Sequence, residues 1–175
     1  MGNYNSSYRG GGSYNRNNHP SGSSSGNVQS APAVPYKELN SLDYVDTAEK
    51  VICSLNKKYI FDNKTKTNKE KIKLTTSQIR NLLSMTSEML NKVHNGRNLG
   101  EANPPLTESL HQDLNSLRIR AIYECGRTDE IRDFVEKAHI LEHLKNIKTI
   151  NDCELFCHYM EALVAFHRYF GGEDH

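Results

Sequence analysis

The sequence predicts an all-α protein, a compact bundle of about five helices preceded by a disordered N-terminal tail, and three observations carry that expectation. Apolar residues from position 42 onward recur at steps of three and four, the spacing that lines one face of an α-helix. The segments bearing this pattern are set off by helix-start and helix-stop residues. No stretch alternates convincingly with the period of two that a half-buried strand requires.

Residues 1–36 come first, and more than half of them are glycine, serine or asparagine, with no acidic residue and almost no aliphatic one. Such a segment cannot bury enough apolar surface to offset its ordering entropy, so it reads as a flexible tail. Tyr4, Tyr8 and Tyr14 alternate there with Arg9 and Arg16, a pattern able to stack weakly on bases. Gly10, Gly11 and Gly12 do not form a phosphate loop, because no strand precedes them and no helix with a lysine follows. The remaining residues, 37–175, form the helical domain.

The first helix is expected over about 42–58, with Val45, Ala48, Ile52 and Leu55 along its buried side. A lysine-rich connection over 59–74 leads to the second, which opens near Thr76 and stops at Asn95-Gly96. Its stripe is Ile79, Leu82, Leu83, Met89, Leu90 and Val93. Pro104 and Pro105 block helix before Thr107, which caps a third with Leu110, Leu114, Leu117, Ala121 and Cys125 inward and Gly126 at its end. Thr128 is placed to cap a fourth, running through Ile131, Phe134, Val135, Ala138, Leu141 and Leu144. Asp129 and Glu130 lie in its first turn, where the helix dipole favours anions. Asn151 or Asp152 caps the fifth, which buries Leu155, Phe156, Tyr159, Met160, Leu163, Val164 and Phe170 before Gly171-Gly172.

Composition bounds the function. With 175 residues, 36 % hydrophobic and 25 % charged, the chain suits one small domain plus a tail, as does a mean hydropathy of −0.71. Its net charge of +1 does not mark a nucleic-acid binder, so any such role must rest on where the charges sit. No apolar run approaches the roughly 20 residues that cross a bilayer, and the start carries no secretory pattern. Gly2 and Ser6 fit a myristoylation pattern without a second anchor, so no membrane attachment is expected and the chain reads as cytoplasmic. Cys53, Cys125, Cys153 and Cys157 read as reduced thiols inside helices. The i, i+4 pairs Cys153/Cys157 and His139/His143 have ligand spacing on a helix, but nothing converges them into a four-ligand site, and neither metal nor cofactor is expected. His111 with Asp113 and His158 with Glu161 can be written as acid–base pairs; isolated pairs on a polar helix face do not make an active site, and none is assigned.

The charges do cluster. Within residues 57–80 Lys57, Lys58, Lys64, Lys66, Lys69, Lys71, Lys73 and Arg80 oppose only Asp62 and Glu70, a local charge of +6. A solvated lysine loop has this composition, and so does a phosphate-binding surface. The helix entrance favours the second: amides around Thr76 to Gln78 point out of the helix start, flanked by Lys73 and Arg80. A second set comprises Arg118, Arg120 and Arg127, with Arg132 and Lys137 on the next helix. Arg120 is placed to pair with Glu124, whereas Arg127, just past Gly126, has less reason to be a helix-surface ion pair and is the better phosphate candidate. Arg168 lies with His167 among aromatics near the end.

Four runs, TTSQIRNLL, LRIRAIYECGR, IRDFVEKA and YMEALVAFHRYFGG, occur in order over about residues 43–174. In these the chain resembles the small subunit of the type III-A CRISPR-Cas effector, the Csm complex. The resemblance implies a five-helix fold without catalysis of its own, several copies stacked head to tail, and contact with guide RNA, target RNA and other subunits of the complex, target cleavage being assigned to a different subunit. The expected RNA-binding residues are Lys58, Lys71, Lys73, Thr76, Arg80, Arg118, Arg120, Arg127, Lys137 and Arg168. The competing reading is a helical protein–protein adaptor without intrinsic nucleic-acid binding.

Overall fold

A computed structural model of the chain describes residues 34–96 and 102–172. Most of the tail expected over 1–36 lies outside the described residues. Its last residues, 34–36, lie within them: the Val34 carbonyl meets His139 Nε2 at 2.7 Å, and the Tyr36 ring packs edge-on against His139 and tilted against His143.

The described residues form helices α1 (Tyr44–Ser54), α2 (Thr76–Gly96), α3 (Glu108–Arg127), α4 (Asp129–Lys137), α5 (Ile140–Asn146) and α6 (Ile150–Tyr169), with strands β1 (Lys57–Asp62) and β2 (Thr67–Ile72) between α1 and α2. α6 is the central post, packed against both α1 and α2, while α3 bridges α2 and α4. Phe156, Tyr159, Met160 and Leu163 of α6 are at most 1 % exposed. Burial of each contributes roughly 1.5–3 kcal/mol before entropy is charged against it.

Two expectations about the elements are corrected. The all-α class gives way to a mostly helical fold with one antiparallel hairpin, because α1 ends at Ser54 and the lysine-rich connection pairs with itself. Lys57 stands opposite Ile72, Lys58 opposite Lys71, Tyr59 opposite Glu70, and the series runs on to Asp62 opposite Thr67. The connecting residues 63–66 end on Lys66 in the left-handed region (φ 53), with the Lys66 amide donating to the Asp62 carbonyl at 2.7 Å. The expected fourth helix is two. His139 takes a left-handed φ of 51, ending α4 and restarting the chain as α5, and the Tyr159 hydroxyl donates to the Ala138 carbonyl at the break (3.2 Å).

The caps also differ in detail. α2 opens at Thr76 as expected, with Thr75 closing a reciprocal box on it: the Gln78 side-chain oxygen accepts from the Thr75 amide (2.7 Å) and the Thr75 hydroxyl from the Gln78 amide (3.3 Å). Thr107 caps α3 as expected, whereas Thr128 stands before α4 with no side-chain cap bond. α6 is capped by Thr149, with Asp152 as the returning partner of its box. Phe170, expected inside, is 37 % exposed and stacks on Phe166 at 6.1 Å.

At its far end α6 stops in a left-handed glycine turn. The Gly172 amide donates to the His167 carbonyl (2.9 Å) and the Gly171 amide to that of Arg168 (3.2 Å), with Gly171 at φ +85. The His167 ring lies so close against Gly172 that any Cβ there would overlap the imidazole. Fully buried, His167 meets the Leu74 carbonyl through Nε2 at 2.8 Å, which makes Nε2 the protonated nitrogen. The end of α6 is thereby fastened to the residue two positions before α2.

Candidate nucleic-acid interface

The root of the hairpin is held from below by α4. Lys137 Nζ donates to the Ser54 carbonyl (2.7 Å) and pairs with Asp133 (2.8 Å), while the other Asp133 oxygen accepts the Asn56 amide (3.0 Å). The Lys73 amide donates to the Asn56 carbonyl (2.9 Å), closing the base where β2 leads into α2. Lys137, counted among the expected RNA contacts, is only 8 % exposed, with its ammonium consumed by this network. That network makes it a scaffold residue of the hairpin root.

Along the hairpin two lysines are neutralised locally. Lys57 lies 3.0 Å from Glu70, and Lys69 2.6 Å from Asp62. The Lys69 ammonium and the Lys64 amide hold the Asp62 carboxyl well below the usual range; Lys57 and the Tyr59 hydroxyl lower Glu70. Both carboxylates thus stay ionised and locked to these partners. Lys64, Lys66, Lys73 and Arg80 are exposed and make no ion pair among the described residues. Lys58 and Lys71, half-buried, face each other across the ribbon, which concentrates positive charge at its lower part.

At the α2 entrance Lys73 and Arg80 both reach solvent, but the donors between them are fewer than expected. The Gln78 amide is taken by Thr75, and the Thr76 hydroxyl is shielded from solvent without a hydrogen-bond partner. Thr76 therefore offers no surface hydroxyl to a phosphate. Arg168 stands exposed on the last turn of α6, next to the His167 that grips Leu74. One hydrogen bond thus joins the run YMEALVAFHRYFGG to Leu74, the residue just before TTSQIRNLL.

The second cationic set is organised around Glu124, which is only 5 % exposed. Arg120 Nη2 lies 2.8 Å from Oε1 as an ion pair without hydrogen-bond alignment, and Arg127 Nη1 donates to Oε2 at 3.2 Å. Both guanidinium carbons sit over the Tyr123 ring, 5.6 and 5.8 Å from its centroid. Arg127, which just past Gly126 has less reason to form a helix-surface ion pair, does form one. α3 continues through Arg127, which puts it at i+3 from Glu124 and makes the pair. Arg120 lines a groove with Asn81 and Met85 of α2, whereas half-buried Arg118 lines a different recess with Leu144 and Lys145 of α5.

The remaining polar sites are local. His158 Nδ1 and Glu161 form a 3.0 Å contact on the surface of α6. Cys153 and Cys157 are buried and share a thiol hydrogen bond that, with burial, pushes the Cys157 thiol up. Among the described residues no three histidine, cysteine or carboxylate side chains group as a metal site, and no helix is long and apolar enough to cross a membrane.

The described residues therefore define a small helical protein that concentrates lysine and arginine on a hairpin and the helix entrance beside it. The family model described as Csm2 Type III-A matches residues 55–173. The chain is 38 % identical over 136 residues to the CRISPR system Cms protein Csm2 of Streptococcus thermophilus, covering 78 % of this chain and 98 % of that protein. The Mycobacterium tuberculosis protein of the same name is 38 % identical over 133 residues, 75 % of this chain and 94 % of its own length. The Enterococcus italicus one is 32 % identical over 100 residues, 55 % and 68 %. The chain belongs to the Csm2 type III-A family, the small subunit of the type III-A CRISPR effector.

Proposed function

We propose that the chain is a non-catalytic RNA-binding subunit of a type III-A CRISPR interference complex, working in antiviral defence in the cytoplasm. Several copies stack along the guide RNA–target RNA duplex and hold it by its backbone, together with the other subunits of the effector. The observation that supports this reading is the exposed quartet Lys64, Lys66, Lys73 and Arg80, without ion pairs among the described residues and set on a hairpin and helix entrance that buried anchors fix in place. Lysines and arginines so placed bind phosphates by charge, leaving sequence to base pairing. Lys58, Lys71, Arg118 and Arg168 extend the surface. Arg120 and Arg127 contribute through the part of each guanidinium that Glu124 and Tyr123 leave outward.

Stacking of copies has its own support. Ile119, Ile122 and Tyr123 on α3 are 52–69 % exposed, and Tyr169 at the end of α6 is 80 % exposed. Apolar clusters on different helices suit a heterologous contact that repeats along a filament. The same clusters are what an adaptor without RNA binding would use, so the two readings part on RNA. The full chain, titrated against RNA duplexes of unrelated sequence, is expected to bind them equally, with affinity falling steeply between 50 and 200 mM salt, roughly a decade or more for a few phosphate contacts. Salt-independent or absent binding would move the adaptor reading ahead.

A further inference from the structure

The hairpin holds a feature that backbone binding does not use. Tyr59 and Phe61, two residues apart on β1, project from the same face of the ribbon and are 68 % and 58 % exposed. Tyr59 is not loose: its hydroxyl donates to Glu70 Oε1 at 3.0 Å, and Lys57 holds the other Glu70 oxygen at the same distance. The ring is pinned at its tip while most of its surface faces solvent. Phe61 stands opposite Asn68, with no bulky neighbour across the ribbon.

The surroundings select the occupant. Residues 57–73 carry seven lysines against two carboxylates, and both carboxylates are already paired with lysine. An apolar protein surface docking here would have to accommodate the excess of ammonium groups. A single-stranded polyanion with flat aromatic bases satisfies rings and charges together, since stacking serves the rings and phosphates the lysines. Duplex RNA does not, because its bases are already stacked on one another and turned away from the surface.

We propose that the Tyr59–Phe61 face of the hairpin is a stacking platform for unpaired RNA bases, separate from the cations at the α2 entrance that hold the backbone. It rests on the RNA-binding reading above and adds a preference for single-stranded segments next to the duplex.

The test uses the full chain with two probes, a 12-nucleotide oligouridine and a 24-base-pair RNA duplex. Tyr59→Leu with Phe61→Leu keeps apolar bulk at both exposed positions and removes the π-faces. That variant is expected to lose at least tenfold in affinity for oligouridine, about 1.4 kcal/mol, with its salt slope unchanged and duplex affinity within about twofold. Tyr59→Phe with Phe61→Tyr is expected to bind both probes as the wild type does. Undiminished oligouridine binding by the leucine variant, or an equal loss on both probes at unchanged thermal midpoint, overturns the platform while leaving backbone binding in place. If the wild-type chain binds neither probe, the RNA reading fails and the platform with it.

Discussion

Replacing Gly172 with alanine drives a methyl group into the imidazole of His167, and the structure sets the size of the effect. The ring is fully buried and tied through Nε2 to the Leu74 carbonyl at 2.8 Å, so it cannot swing aside without breaking that bond. Overpacking of this kind costs about 1–3 kcal/mol, and leaving the buried Leu74 carbonyl without its donor a similar amount. His167→Ala incurs the second penalty and leaves a cavity, yet that cavity is where an alanine methyl at 172 would sit. The two substitutions should therefore be strongly non-additive, the double variant being more stable than the sum of the singles by about 1–2 kcal/mol. Urea unfolding followed by far-UV circular dichroism on the four proteins gives the coupling directly, provided the m-values agree. Additivity within about 0.5 kcal/mol would refute the argument that this contact fastens the end of α6 to the α2 entrance.

Two further perturbations separate scaffold from surface. Lys137→Ala leaves Asp133 short of its buried partner and should destabilise the fold by about 3 kcal/mol, without flattening the salt dependence of RNA affinity; a flatter slope in a folded variant would return Lys137 to the binding surface. Burial, reinforced by neighbouring His139, pushes the His143 imidazole down to about 4. The unfolded chain, with its ordinary value near 6.5, takes up that proton first as pH falls. The contribution is therefore complete above about pH 6.5 and is lost progressively down to about pH 4, some 1 kcal/mol of it by pH 5 after allowing for partial solvent screening. His143→Gln should shallow the fall in thermal midpoint between pH 7 and 5, and an identical fall in both proteins would contradict the assignment.

What the sequence made legible followed local rules. The stripes of α2, α3 and α6 could be read because their apolar residues recur on one face and threonine or glycine marks their ends. The hairpin escaped because its strands, KKYIFD and TNKEKI, hold few apolar residues. It is held instead by cross-strand contacts such as Lys57 with Glu70, thirteen positions apart, which in one dimension look like a solvated lysine loop. The break at His139 was hidden for another reason: a non-glycine residue adopts the left-handed conformation there, with no punctuation to announce it.

The cations divide along the same line. Lys73 and Arg80 reach solvent beside the helix start, where adjacency in sequence carried the inference. The scaffold role of Lys137 is not legible in one dimension because its partner carbonyl, Ser54, lies 83 residues away, a relation periodicity does not encode. The Glu124 cluster needed only the helix to run one residue further. Tyr59 and Phe61 become a pair only on a strand, which alone gives them a common face.

The cations of the hairpin and the α2 entrance are proposed to hold RNA by its phosphates. The most direct test of that proposal is the salt dependence of RNA affinity for Lys73→Glu with Arg80→Glu against the wild type, on single strands of unrelated sequence. Weaker binding by a similar factor is expected on every sequence, with a slope of log affinity against log salt flatter by about 1.4, from two contacts at about 0.7 each. A folded double variant with unchanged affinity and unchanged slope would contradict it.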